Sequence, residues 1–179
     1  VFNNAETLVL LISVVFLLFY SIFYKSFAEL IHYEFNSYYV LLLGIIVALD
    51  ASAAIPFAML RKENKAGRFS MIKTINVLTN IFFNILFLVI IPEKSMMIAE
   101  AIFGEQTSLL IWVFISNILA SGLNLILLTP QLSTLKISLN KELIVPMLKY
   151  SFPILLISLV GMINEVADTI ALIPDAVIR

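Results

Sequence analysis

Tyr38-Tyr-Val-Leu-Leu-Leu-Gly-Ile-Ile-Val-Ala-Leu-Asp50-Ala-Ser-Ala-Ala-Ile-Pro56-Phe-Ala-Met-Leu60 is an apolar run of 23 residues, and Arg61-Lys-Glu-Asn-Lys-Ala-Gly-Arg68 closes it. A run of that length matches the roughly 20 residues that a helix needs to cross the hydrocarbon of a bilayer. Strands with open edges are not tolerated in lipid, so the run predicts a membrane-spanning helix. Its basic end marks one face of the membrane. Four further stretches repeat the pattern, giving spans at about 7–24, 38–60, 69–91, 109–128 and 150–173. The fold class expected is all-α, a polytopic transmembrane bundle of five spans.

Composition leads to the same class. Hydrophobic residues make up 61% of the chain and charged residues 13%, with a mean hydropathy of +1.06. A soluble domain is nearer half apolar and a quarter charged. The net charge of −1 gives no basic footprint for a nucleic-acid partner. Cysteine is absent and His32 is the sole histidine, so thiolate and His-cluster metal sites are not expected, and no cofactor is implied. The chain opens Val-Phe-Asn-Asn without a basic leader, and it reads as a piece of a longer protein.

Lys and Arg in the short loops set the expected orientation. The 61–68 loop carries four basic residues against Glu63, and the 129–149 connection carries Lys136, Lys141 and Lys149 against Glu142. The other two loops hold Glu29 and Glu34 against Lys25, and Glu93, Glu100 and Glu105 against Lys94. The basic loops are therefore placed in the cytoplasm and the acidic loops outside. Phe27, Leu30 and Ile31, beside Glu29 and His32, predict a short interfacial helix in the first outer loop. The connection at 129–149 is longer than most helix–helix links, which marks it as a join between lobes.

Polar groups inside the spans carry the functional information. Lys73, Asn76, Asn80 and Asn84 fall within an arc of roughly 80° on one helix, at about 100° per residue. Asn117, Ser121 and Asn124 fall within roughly 60° on the next. Asp50 adds a carboxylate, and Asn164, Glu165 and Asp168 add a polar patch to the last span. The first span has no such feature and reads as lipid-facing. Asp50, Asn80 and Asn117 lie roughly 17–18 Å from the cytoplasmic ends, near the midplane, and Lys73 and Asn124 about 7 Å in. Such a set on four helices fits a hydrated cavity. Any single Asn fits interhelical hydrogen bonding better than a site role, and Lys73 fits an interfacial anchor better than a substrate contact. Pro56 predicts a kink in the second span, whereas Pro153 falls in the first turn of the fifth, where proline is tolerated.

Two stretches carry a resemblance. Ala48-Leu-Asp-Ala-Ser-Ala-Ala-Ile-Pro-Phe-Ala-Met-Leu-Arg-Lys-Glu-Asn64, with Arg68-Phe and Lys73-Thr-Ile-Asn76, is one. Met147-Leu-Lys-Tyr-Ser-Phe-Pro-Ile154 with Gly161-Met-Ile-Asn-Glu-Val-Ala-Asp168 is the other. Together they resemble the polysaccharide transporter, O-antigen flippase-like branch of the multidrug/oligosaccharidyl-lipid/polysaccharide flippase superfamily. The resemblance implies a MATE-like fold of two lobes. Residues 1–128 would belong to the N-terminal lobe, 129–149 to the cytoplasmic connection, and 150–179 to the first helix of the C-terminal lobe.

It also implies a transporter rather than an enzyme. Lipid-linked oligosaccharide, an undecaprenyl-pyrophosphate sugar unit, would be flipped by alternating access across a bacterial cytoplasmic membrane. The expected cavity residues are Asp50, Lys73, Asn76, Asn80, Asn84, Asn117, Asn124, Asn164, Glu165 and Asp168. H+ or Na+ coupling is expected to use Asp50, Glu165 or Asp168. The rivals are a multidrug/cation antiporter of the same superfamily, a membrane-embedded polysaccharide polymerase or ligase, and an inert scaffold or fragment.

Overall fold

A computed structural model of the protein describes residues 2–30, 37–104, 107–133 and 137–171, with side chains to residue 167. All elements among the described residues are helical. They are α1 (Phe2–Leu30), α2 (Tyr38–Lys62), α3 (Ala66–Ile85), α4 (Pro92–Phe103), α5 (Leu110–Leu127), α6 (Thr129–Leu132) and α7 (Lys141–Ala171). A π-helical turn, Leu86–Ile90, prolongs α3. Five helices are long and apolar enough to cross a membrane: Phe2–Leu30, Tyr38–Lys62, Ala66–Ile90, Leu110–Leu127 and Lys141–Ala167. Large apolar side chains cover the outward faces, including Leu18 (63% exposed) and Ile22 (71%) on α1 and Met71 (63%) on α3. Water would not support an apolar surface of that extent, whereas lipid does.

The described residues form two compact units, 2–138 and 139–171. In the first, α2 packs against both α1 and α5, and α3 packs against α5. The register of α1 against α2 is antiparallel. Tyr24 stacks on Tyr38, a Cβ on Gly44 would overlap the Tyr20 ring, and the Lys62 ammonium lies over the Phe2 ring. Helices α2 and α5 run parallel, since Tyr39 near the start of α2 bonds Ser108 just before α5, with 3.0 Å between the hydroxyls. At the other end Arg68 reaches the Leu127 carbonyl (3.5 Å), so α3 runs opposite to α5.

Two apolar clusters anchor the ends of this unit. Tyr39, Leu42, Ala99, Ile111 and Trp112 form one, and Ala53, Phe57, Leu60, Ile72 and Leu128 the other. The second lies beside the basic loop, at what is called here the basic end. The turn from α2 to α3 stops the helix sharply. Asn64 takes φ 55, while the Lys65 and Asn64 amides bond the Leu60 and Arg61 carbonyls (3.0 and 3.1 Å). This is a Schellman turn, and Asn is one of the few side chains that accept the left-handed position.

Several expectations need correction. The first span does not end at Tyr24, because α1 runs unbroken to Leu30. No glycine or proline interrupts that stretch, and Phe27 stacks on Tyr20, about two turns earlier on the same face (5.3 Å). Phe27, Glu29 and Leu30 are therefore the end of α1 rather than a separate interfacial helix, while Ile31 and His32 lie outside the described residues. Nor is α1 purely lipid-facing, since Asn4, Glu6 and Ser13 are buried. The acidic loop after α3 contains a helix, α4, started by Pro92 with Glu93 in its first turn and stopped at Gly104 with φ 94.

In the second unit, α7 begins at Lys141, nine residues before the expected start at Tyr150. The Asn140 side chain accepts the Glu142 amide (2.9 Å) and so caps the helix there. Pro153 is consequently interior, with Pro146 one turn and a half into the same helix. The described part of the 129–149 connection is thus itself largely helical.

Candidate functional site

Asp50 is the middle residue of α2, and the chain following it repeats at helical spacing on one face: Ala54, Phe57 and Arg61 come four, seven and eleven residues later. Small side chains at Ala53 and Ala54 leave space beside that face. The stripes of α3 and α5 meet it there and enclose a cavity of about 480 Å³. Asp50, Asn117 and Ser121 lie in its deeper part. Lys73, Asn76 and Asn124 line it further out, and Arg61 and Phe69 reach the basic end.

The charges within the cavity are separated along its length. Asp50 accepts a hydrogen bond from the Ser121 hydroxyl across the α2–α5 interface (2.7 Å). The Lys73 ammonium sits 4.4 Å from the centre of the Phe57 ring, and the Arg61 guanidinium 5.6 Å from that of Phe69. The two rings meet edge to face with centroids 5.4 Å apart. The negative face of each ring attracts the cation above it. Among the described residues the ion pair is Lys65 with Glu63 (2.7 Å), so no carboxylate neutralises Arg61 or Lys73. Asn124 is 3% exposed and its side-chain oxygen has no hydrogen-bond partner.

Of the ten expected cavity residues, Asp50, Lys73, Asn76, Asn117 and Asn124 line this cavity together. Asn80 and Asn84 do something else. Asn84 donates to Asn80 (2.7 Å), Asn80 donates to Asn117 (2.6 Å), and Asn117 donates to the Val113 carbonyl (3.0 Å). That ladder ties α3 to α5. Asn164 and Glu165 lie on α7, in the second unit, and Asp168 lies on the same helix with its side chain outside the described set. Lys73 is a wall of the cavity, held over Phe57.

Four lining residues, Arg61, Ser121, Phe57 and Phe69, are not among the site residues expected from the sequence. Arg61 entered only as a topology marker, although its position eleven residues after Asp50 places both on one helix face. Ser121 was read only as part of the α5 stripe. The Phe57 and Phe69 rings carry no sequence signal, because aromatic residues in a span are usually packing or lipid contacts. The cavity therefore offers neutral amide and hydroxyl partners at depth, two unneutralised cations nearer the mouth, and one carboxylate. No protein-family model, curated protein or solved structure matches the chain.

Proposed function

We propose that the chain is part of a multi-pass transporter of the polysaccharide branch of the multidrug/oligosaccharidyl-lipid/polysaccharide flippases. In this reading the basic end faces the cytoplasm of a bacterial cell, and the cavity receives the headgroup of a lipid-linked oligosaccharide. The two compact units correspond to parts of two lobes that alternate access. The observation that carries the reading is the pairing of Arg61 and Lys73, unneutralised, with an Asn- and Ser-lined interior. Amide groups both donate to and accept from sugar hydroxyls. Guanidinium and ammonium groups hold pyrophosphate oxygens with charge-assisted bonds. The isoprenoid tail stays in lipid.

The same arithmetic disfavours a cation antiporter. Arg61 and Lys73 against Asp50 leave the cavity one positive charge in excess, which repels a cationic drug. The test is binding in lipid nanodiscs, with undecaprenyl-pyrophosphate oligosaccharide, free undecaprenol and a lipophilic cation as competing ligands. Lys73→Ala combined with Arg61→Ala is expected to weaken the oligosaccharide lipid at least about tenfold, the loss of one or two charge-assisted bonds. The undecaprenol control should not change. Preferential binding of the cation, or equal binding by the double variant, overturns the reading.

A further inference from the structure

Glu6 lies in the first two turns of α1, toward the basic end, and is 2% exposed. Neither of its carboxyl oxygens has a hydrogen-bond partner. It opens onto a second cavity, of about 290 Å³, together with Thr7, Ser52 and Leu125. None of the lining residues of the first cavity borders this one. The remaining described walls, Leu10, Leu132 and Ile137, are apolar, and among the described residues Glu6 is the only charged group lining the space.

The two hydroxyls decide what the space can hold. Ser52 donates its proton to the Ala48 carbonyl (2.8 Å). Thr7 donates to the Asn3 carbonyl (2.7 Å) and accepts from the Ser138 amide (3.2 Å). A hydroxyl has one proton and two lone pairs. Both protons are taken up by backbone carbonyls, so each oxygen has only lone pairs left to offer the cavity. Among the described residues, the polar side chains of the cavity wall thus present four oxygens and no free donor.

An acceptor-only set repels anions and gives nothing to a carbonyl or phosphate. It attracts a small cation, and oxygen ligands are what hard cations take. A buried carboxylate with no hydrogen-bond partner from the protein also favours a positive partner, since an uncompensated buried charge is strongly unfavourable. The volume is several times the roughly 30 Å³ that one water occupies, so water can complete a coordination shell. We propose that Glu6, Thr7 and Ser52 form a binding site for a small monovalent cation, Na+ or H+, at the junction of α1, α2 and α5. This site does not rest on the sugar-transport reading, and neither depends on the other.

Infrared difference spectroscopy of the protein in lipid bilayers tests it, in two arms that separate the sources. One exchanges choline for Na+ at constant pH, and the other steps the pH without Na+. A carboxylate band that shifts with Na+ identifies a sodium site, and a carboxyl C=O band that grows on acidification identifies a proton site. Glu6→Gln should remove the responding band, whereas Asp50→Asn should retain it. Circular dichroism checks that Glu6→Gln keeps its helix content. Should it not, Glu6→Asp is read instead, with the band retained and half-saturation shifted to at least about tenfold higher cation concentration. Identical spectra for the wild type and Glu6→Gln in both arms overturn the proposal, as does an unshifted half-saturation in Glu6→Asp.

Discussion

Asn80 and Asn117 sit on facing helices with their amides 2.6 Å apart, and Asn84 extends the chain of bonds by one more turn. In an apolar interior such an amide pair joins helices because each group has no better partner nearby. Asn117 also lines the cavity, so the ladder fixes the wall against which a ligand would rest. A double-mutant cycle on Asn80→Leu and Asn117→Leu, read by unfolding in mixed micelles, should give a coupling energy of about 0.6–2 kcal/mol. Additive effects would mean that the bond contributes nothing beyond the two separate side chains.

At the scale of elements, two backbone positions hold the arrangement together. Gly44 lets α1 and α2 approach until the Tyr20 ring lies where a Cβ would stand. Gly44→Leu is expected to destabilise the pair by about 1–3 kcal/mol through overpacking. Tyr20→Ala in the same chain should restore part of that loss, measured as the thermal midpoint of the detergent-solubilised protein. Asn64, at φ 55, ends α2 in its Schellman turn. Asn64→Val places a β-branched side chain in the left-handed region and should lower stability by about 1–2 kcal/mol, whereas Asn64→Gly should be neutral or better. Equal midpoints for the two Asn64 variants would remove the backbone argument. The turn matters for the site because it sets Arg61 and Phe69 on facing helix ends.

For the whole molecule, the arrangement predicts a pattern of water access. The chain has no cysteine, so single-cysteine variants report one position each. Cysteine at Ala54 or Asn76, on the cavity wall, should react with a membrane-impermeant maleimide added on the side of the Arg61–Arg68 loop. Cysteine at Val77 or Ile81, on the outward apolar face of α3, should stay unlabelled in a bilayer. Labelling of both pairs, or of neither, would refute the cavity. Labelling from the opposite face would invert the topology read from the basic loops.

The number and apolar character of the membrane-capable helices were already written in the sequence, because a span needs only length and the absence of charge. Asp50 and the polar stripes of α3 and α5 could be placed on helix faces for the same reason: 3.6 residues per turn is a local rule. Helix ends were less legible. Caps such as Asn140 and the uninterrupted run to Leu30 act through a few side chains that hydropathy does not weigh. What only the tertiary structure decided is which stripes face each other. Asn80 and Asn76 lie one turn apart on α3, yet Asn80 is spent on Asn117 while Asn76 lines the cavity. Arg61 became a wall of the cavity rather than a loop charge, and Glu6, just before the first span expected from the sequence, a buried carboxylate. Those outcomes depend on packing between residues far apart in the chain, which a local period cannot encode.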